Sequence, residues 1–228
     1  MSIRSIKLYH YPLSRSARVK WLLHELLGDD FETERVALMQ GAHYSEDFLA
    51  KNPNHAVPVL DIDFTDGTSK TMFESGAMIL LLADAYKEKG LAPAPEDLLA
   101  RADYLQMVYF GGAWMDMMLW QIRLHEDLLP EAVRSERVAA FNRDKFMNEV
   151  EPQLKARLEI HAHICGEDFT AADCMIGQNI NWARAYKMCQ DLYSKTTCPA
   201  SQNAKASSRA LPMRKTLAAN YINLCWCR

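Results

Sequence analysis

The chain has 228 residues, enough for one large domain or two small ones. Hydrophobic residues make up 49% and charged residues 24%, the balance of an ordinary globular protein. A formal net charge of −3 argues against nucleic acid and anionic membranes as partners, and with no leader or long apolar run in view the expected location is the cytoplasm.

The first part of the chain reads as mixed α/β. Residues 6–11 are β-rich and stop at Pro12. Val19, Leu22, Leu23, Leu26 and Leu27 recur at helical spacing, and Gly28 ends the run. Residues 31–38 alternate like a strand, and 44–51 form a short helix that Pro53 closes. Residues 57–62 and 71–73 flank Asp66-Gly67, a hairpin-turn signal. Residues 77–86 are apolar and helical, so the order is β-α-β-α-β-β-α.

The stretch 87–97, with Gly90, Pro93 and Pro95, reads as a linker, and no convincing strand follows it. The pattern predicts a long helix over 98–125, interrupted by Gly111-Gly112. Glycines inside a helix cost about 1 kcal/mol each, so a bend or a close backbone contact is expected there. A second long helix is expected over 131–163, with Pro152 as a kink. Thr170 and Asp173 form a reciprocal cap that opens a third. The tail beyond residue 190 is weakly patterned, with a short helix expected at 211–219. The domains therefore divide as 1–86, a linker at 87–97, and an all-helical 98–228. None of the six cysteines precedes Cys165, and the spacing of Cys225 and Cys227 is too close for the usual zinc half-site. No metal is expected.

Two short pieces carry the chemistry. In Asn-His-Ala-Val-Pro-Val-Leu (54–60) a proline opens a strand, and a cis Val57–Pro58 bond is expected. In Phe-Glu-Ser-Gly-Ala (73–77) Glu74 and Ser75 stand at a helix N-terminus, which favours an anionic group. Together they suggest a site that reads a small peptide by its backbone and its charged end.

With Lys-Leu-Tyr-His-Tyr-Pro-Leu-Ser-Arg-Ser-Ala-Arg-Val (7–19), Asn-Pro-Asn-His-Ala-Val-Pro-Val-Leu (52–60), Phe-Glu-Ser-Gly-Ala-Met-Ile (73–79) and Phe-Thr-Ala-Ala-Asp (169–173), all in family order, the chain resembles the glutathione transferases, in particular their theta-like serine type. The resemblance implies an α/β thioredoxin-like N-terminal domain and an all-α C-terminal domain. It implies glutathione as cosubstrate, a small-molecule electrophile as second substrate and a homodimer. It also implies that Glu74 and Ser75 grip the γ-glutamyl end, and that Val57, beside Pro58, meets the cysteinyl backbone by strand addition. The family's lysine before Val-Pro is Ala56 here, which leaves His55 as a candidate for the glycyl carboxylate.

The chemistry needs an ionised thiol. A free thiol has a pKa of about 8.5, and lowering it by two units takes about 2.7 kcal/mol. One hydrogen bond to the anion supplies about 1.5–3 kcal/mol, and a helix N-terminus adds about 0.3–1 kcal/mol. A single hydroxyl at the start of the first helix suffices. The aligned serine of serine-using relatives falls on Ser14, while serine also suits a plain helix N-cap. Tyr9 is the rival, from counting back to the tyrosine of other relatives; Ser16 and Tyr11 come after it. No cysteine lies in 9–18, which sets aside thiol–disulfide exchange in that loop. Met107, Phe110, Trp114, Met117 and Met118, with Gln121, form a stripe that serves either as core or as the electrophile pocket. The alternative to a transferase is a non-catalytic binding or regulatory protein of the same fold.

Overall fold

The computed structural model describes residues 2–192. Cys198, Cys225, Cys227 and the helix expected at 211–219 lie outside the described residues. The N-terminal part follows the expected order: β1 (Ile3–His10), α1 (Ser16–Leu27), β2 (Glu32–Arg35), α2 (Glu46–Lys51), β3 (Val59–Phe64), β4 (Ser69–Met72) and α3 (Ser75–Ala85). The four strands form one mixed sheet in the order β2-β1-β3-β4. β1 runs parallel to β2 and antiparallel to β3, and β4 returns antiparallel to β3. This is a thioredoxin-like α/β domain, followed by a helical region. Among the described residues no helix is long and apolar enough to cross a membrane.

The period of two along β1 and β3 decides what each sheet face meets. Leu8, Leu60 and Ile62 point into the main core with Leu22 and Leu26 of α1 and Met78 and Leu82 of α3. Tyr9 and Val59 point to the opposite face, where they join Val36, Phe48 and Val57 beneath α2. β2 is shorter than the alternation at 31–38 predicts. Its four residues are exposed, and the chain leaves the sheet after Val36 donates to the His10 carbonyl at 2.9 Å. The turn between β3 and β4 is the expected one: Gly67 has φ +87° and Asp66 Oδ1 accepts from the Thr68 amide at 3.0 Å.

The helical part holds α4 (Leu98–Tyr109), α5 (Asp116–Arg123), α6 (Glu136–Lys145), α7 (Glu151–Ile160) and α8 (Ala171–Ala185). α4 runs into α5 through a π-helical segment, Phe110–Met115, at the two glycines. Of the two alternatives expected for this place, the close contact is present. The helix widens, and a side chain on Gly111 would put Cβ 2.5 Å from Met175 Cγ of α8. The helix expected from 131 begins at Glu136, because Ser135 is the residue that caps it, accepting from the Val138 amide. Another π-helical segment, Phe146–Val150, links α6 to α7 just ahead of Pro152, whose missing N–H the wider turn accommodates. Asp173 accepts the amides of Thr170 at 2.8 Å and Ile164 at 2.9 Å, so the cap also ties down the loop before α8. The sheet region and the helices share one core: α1 and α3 both pack on α8.

Candidate functional site

The two pieces singled out in the sequence face one cavity of about 410 Å³. Asn52, Asn54, Ala56, Val57 and Pro58 line it from the loop before β3. The Val57–Pro58 bond is cis. Phe73, Glu74, Ser75, Gly76 and Ala77 line it from the start of α3. Glu74 has φ +77°, a strained conformation for a residue with a Cβ, and its carbonyl accepts from the Met78 amide at 3.0 Å. Its carboxylate and the buried Ser75 thus sit where the helix dipole favours an anion, with an acid beside it for a cation.

The third wall comes from the α4–α5 region. It is made of Val108, Tyr109, Gly112, Ala113 and Asp116. None of Met107, Phe110, Trp114, Met117 and Met118 lines the cavity. Met107 and Met118 are buried in the main core, Phe110 packs against it, and Lys145 of α6 lies over the Trp114 ring at 4.8 Å. Trp114 and Met117 are exposed, so only part of the stripe is core. The cavity lies beside it, where small side chains leave room.

Arg15 lines the cavity from the first residue ahead of α1. Three residues on, Arg18 is fully buried and reaches Asp116 through both terminal nitrogens, at 2.9 and 2.7 Å. Its remaining donors go to Gln178, Asn179 and the Met175 sulfur of α8. Sequence reasoning missed Arg15, Arg18 and Asp116. An arginine inside an apolar helical run was the one signal available for Arg18.

Ser14 stands next to this wall and not on it. Its hydroxyl donates to the Tyr11 carbonyl at 2.7 Å and lies 2.6 Å from Ser16 Oγ. Ser16 Oγ lies in turn 2.7 Å from His10 Nδ1. Burial, with Lys20 and Arg35 nearby, lowers the His10 imidazole to about 4, so the ring is neutral. Tyr9 is buried away from the cavity, against Phe48 and beneath the ammonium of Lys51. His55 also stays off the cavity wall: it has φ +45° and stacks on Tyr44 at 4.8 Å, with His43 behind. Burial, and then the neighbouring His55, lowers His43 to about 4, and among the described residues its Nδ1 has no hydrogen-bond partner.

Residues 4–83 match the family model described as Glutathione S-transferase, N-terminal domain. An uncharacterised GST-like protein of Streptococcus mutans is 25% identical over 82% of this chain and 68% of its own. Glutathione S-transferase 3 of Zea mays is 42% identical, and the alignment spans 39% of each chain. A glutathione S-transferase from a sphingomonad, solved in complex with glutathione, is 26% identical with a TM-score of 0.65, over 95% of this chain and 99% of that one.

Proposed function

Because this chain belongs to the glutathione S-transferase family, we propose that it binds glutathione in the cavity and conjugates its thiolate to hydrophobic electrophiles. The observation that carries this is the pairing of Glu74 and Ser75 with Val57 and Pro58 across one cavity. In this reading Glu74 pairs with the γ-glutamyl ammonium. Ser75, at the head of α3, takes its carboxylate, and the Val57 main chain meets the cysteinyl residue. Ser14 exchanges the Tyr11 carbonyl for the thiolate and donates a hydrogen bond to it, keeping its own proton. The thiolate then forms a carbon–sulfur bond to the electrophile; the leaving group departs with the electron pair and the thiol proton goes to solvent.

The position of Ser14 beside the wall, with its hydroxyl bonded to Tyr11, favours a second reading, a glutathione-binding protein without turnover. Retention on immobilised glutathione, followed by assay against a panel of electrophiles and peroxides, separates the two. Retention with turnover supports the transferase, and retention without it supports the binding protein. Failure of Glu74→Gln to weaken retention would remove the site from both. The family reading also makes the protein a cytoplasmic homodimer, and exposed Leu81, Leu98 and Leu99 of α3 and α4 supply apolar surface for the contact.

A further inference from the structure

Arg15 brings a charge to the cavity and, among the described residues, has no carboxylate to itself. Its Nη1 lies 4.0 Å from Asp116 Oδ2. Both Asp116 oxygens are already held by Arg18. Two guanidinium groups therefore share one carboxylate, and the other acid lining the cavity is Glu74. The Arg15 guanidinium also lies 5.5 Å from the ring centroid of Trp120 of α5. Tyr109 of α4 and Gly112 and Ala113 of the π-helical segment line the same cavity, as do Val57, Glu74 and Ser75.

A guanidinium is a planar fork of N–H donors that holds a carboxylate through two parallel bonds. Packing its face on an aromatic ring fixes the fork without using its donors. Tyr109, 66% exposed, and Phe73 offer apolar surface within the same cavity, and Gly112 and Ala113 leave space between. We propose that the second substrate is an apolar molecule bearing a carboxylate, and that Arg15 is the group that reads it. As a statement about turnover this rests on the transferase reading; as a statement about binding it does not.

The test uses 4-chloro-3-nitrobenzoate and 4-chloro-3-nitrobenzamide, which differ only in the charged group. In either, the thiolate forms the carbon–sulfur bond, chloride leaves with its electron pair, and the thiol proton passes to solvent. Binding is measured by calorimetry on protein saturated with S-methylglutathione, and kcat/KM with glutathione. The benzoate should be favoured over the benzamide by about tenfold or more in both measurements. Arg15→Gln should abolish the preference and leave the KM for glutathione within a few fold, and Arg15→Lys should restore part of it. Equal treatment of the two probes by the unaltered protein would overturn the proposal. So would an Arg15→Gln variant that weakens both probes alike while raising the pKa of the bound thiol, because Arg15 would then serve the thiolate. A loss confined to glutathione affinity would assign Arg15 to a carboxylate of glutathione and equally overturn it. Discrimination in binding without turnover of either probe would uphold Arg15 as the carboxylate reader and remove the transferase reading instead.

Discussion

Ser14 and Tyr9 were rivals by counting, and their surroundings now differ sharply. Ser14 is within a residue of the cavity wall, whereas Tyr9 is buried beneath α2. Ser14→Ala is therefore expected to raise the pKa of bound glutathione by about one unit or more, leaving its affinity within a few fold. Thiolate absorbance followed across pH reads this directly. Tyr9→Phe should leave that titration in place, and the opposite pattern would exchange the two roles. Ala56, unlike His55, lines the cavity, so Ala56→Lys should tighten glutathione by about tenfold through a charge-assisted contact, as read by calorimetry. Unchanged affinity would mean that another group already satisfies the glycyl carboxylate. The histidines make a separate prediction. His10 and His43 are held near 4, against 6.5 ordinarily. Between these values the unfolded chain binds more protons than the native one. Stability contributed by the neutral rings is thus present at neutral pH and lost as pH falls through that window. Urea midpoints should decline from about pH 7 to about pH 4.5, and less so in His10→Asn; a flat profile would contradict the burial of both rings. Glu74, Ser75, Val57 and Pro58 were legible because each motif is local. Arg15 was not, because its significance depends on a wall that comes from elsewhere in the chain.

At the level of elements, the α4–α5 helix shows where pattern reading fails. The sequence offered large apolar side chains as core or as pocket; Met107 and Met118 are buried in the core, Trp114 and Met117 are exposed, and none lines the cavity. A cavity is made by what is missing, and here the missing atoms are those of Gly112 and Ala113. The π-helical turn adds a residue and rotates the next helix, α5, by roughly 100° relative to an uninterrupted α-helix, which a constant period of 3.6 cannot reproduce. The two glycines were visible, and their separate tasks were not. Gly111 admits α8: an added Cβ would meet Met175 Cγ at 2.5 Å and Ile176 Cδ1 at 3.1 Å. Overpacking of this kind costs about 1–3 kcal/mol, while replacing glycine in a helix returns at most about 1 kcal/mol. Gly111→Ala should therefore destabilise the protein in chemical denaturation. Gly112→Ala meets only Met175 Cε at 3.6 Å and should be neutral or slightly stabilising. Equal effects at the two positions would refute this division.

For the whole molecule, the overall architecture was legible because four motifs occur in order along the chain. The device that joins its parts was hidden. Arg18 and Asp116 are 98 residues apart, and Asn179 is 161 residues from Arg18. No local pattern links them until α1 packs against α5 and α8. Removing one partner of a buried, bidentate pair leaves an uncompensated charge, which typically costs about 3–5 kcal/mol. Arg18→Met should show a loss of that size in urea unfolding, and combining it with Asp116→Leu should recover most of it. A double variant no more stable than Arg18→Met would mean that the loss comes from Gln178, Asn179 and packing, not from the stranded carboxylate.

The double duty of Asp116, as cavity wall and as Arg18 partner, sets how this protein can diversify. Phe73, Tyr109 and Ala113 touch the cavity without belonging to the buried core. Random replacement at those three positions can change the shape offered to a substrate while the fold stays intact. Replacement at Asp116 is filtered first for chains that still fold. New specificities, whether bred in the laboratory or in a lineage, would therefore accumulate around the rim of the site while its anchored end stays fixed.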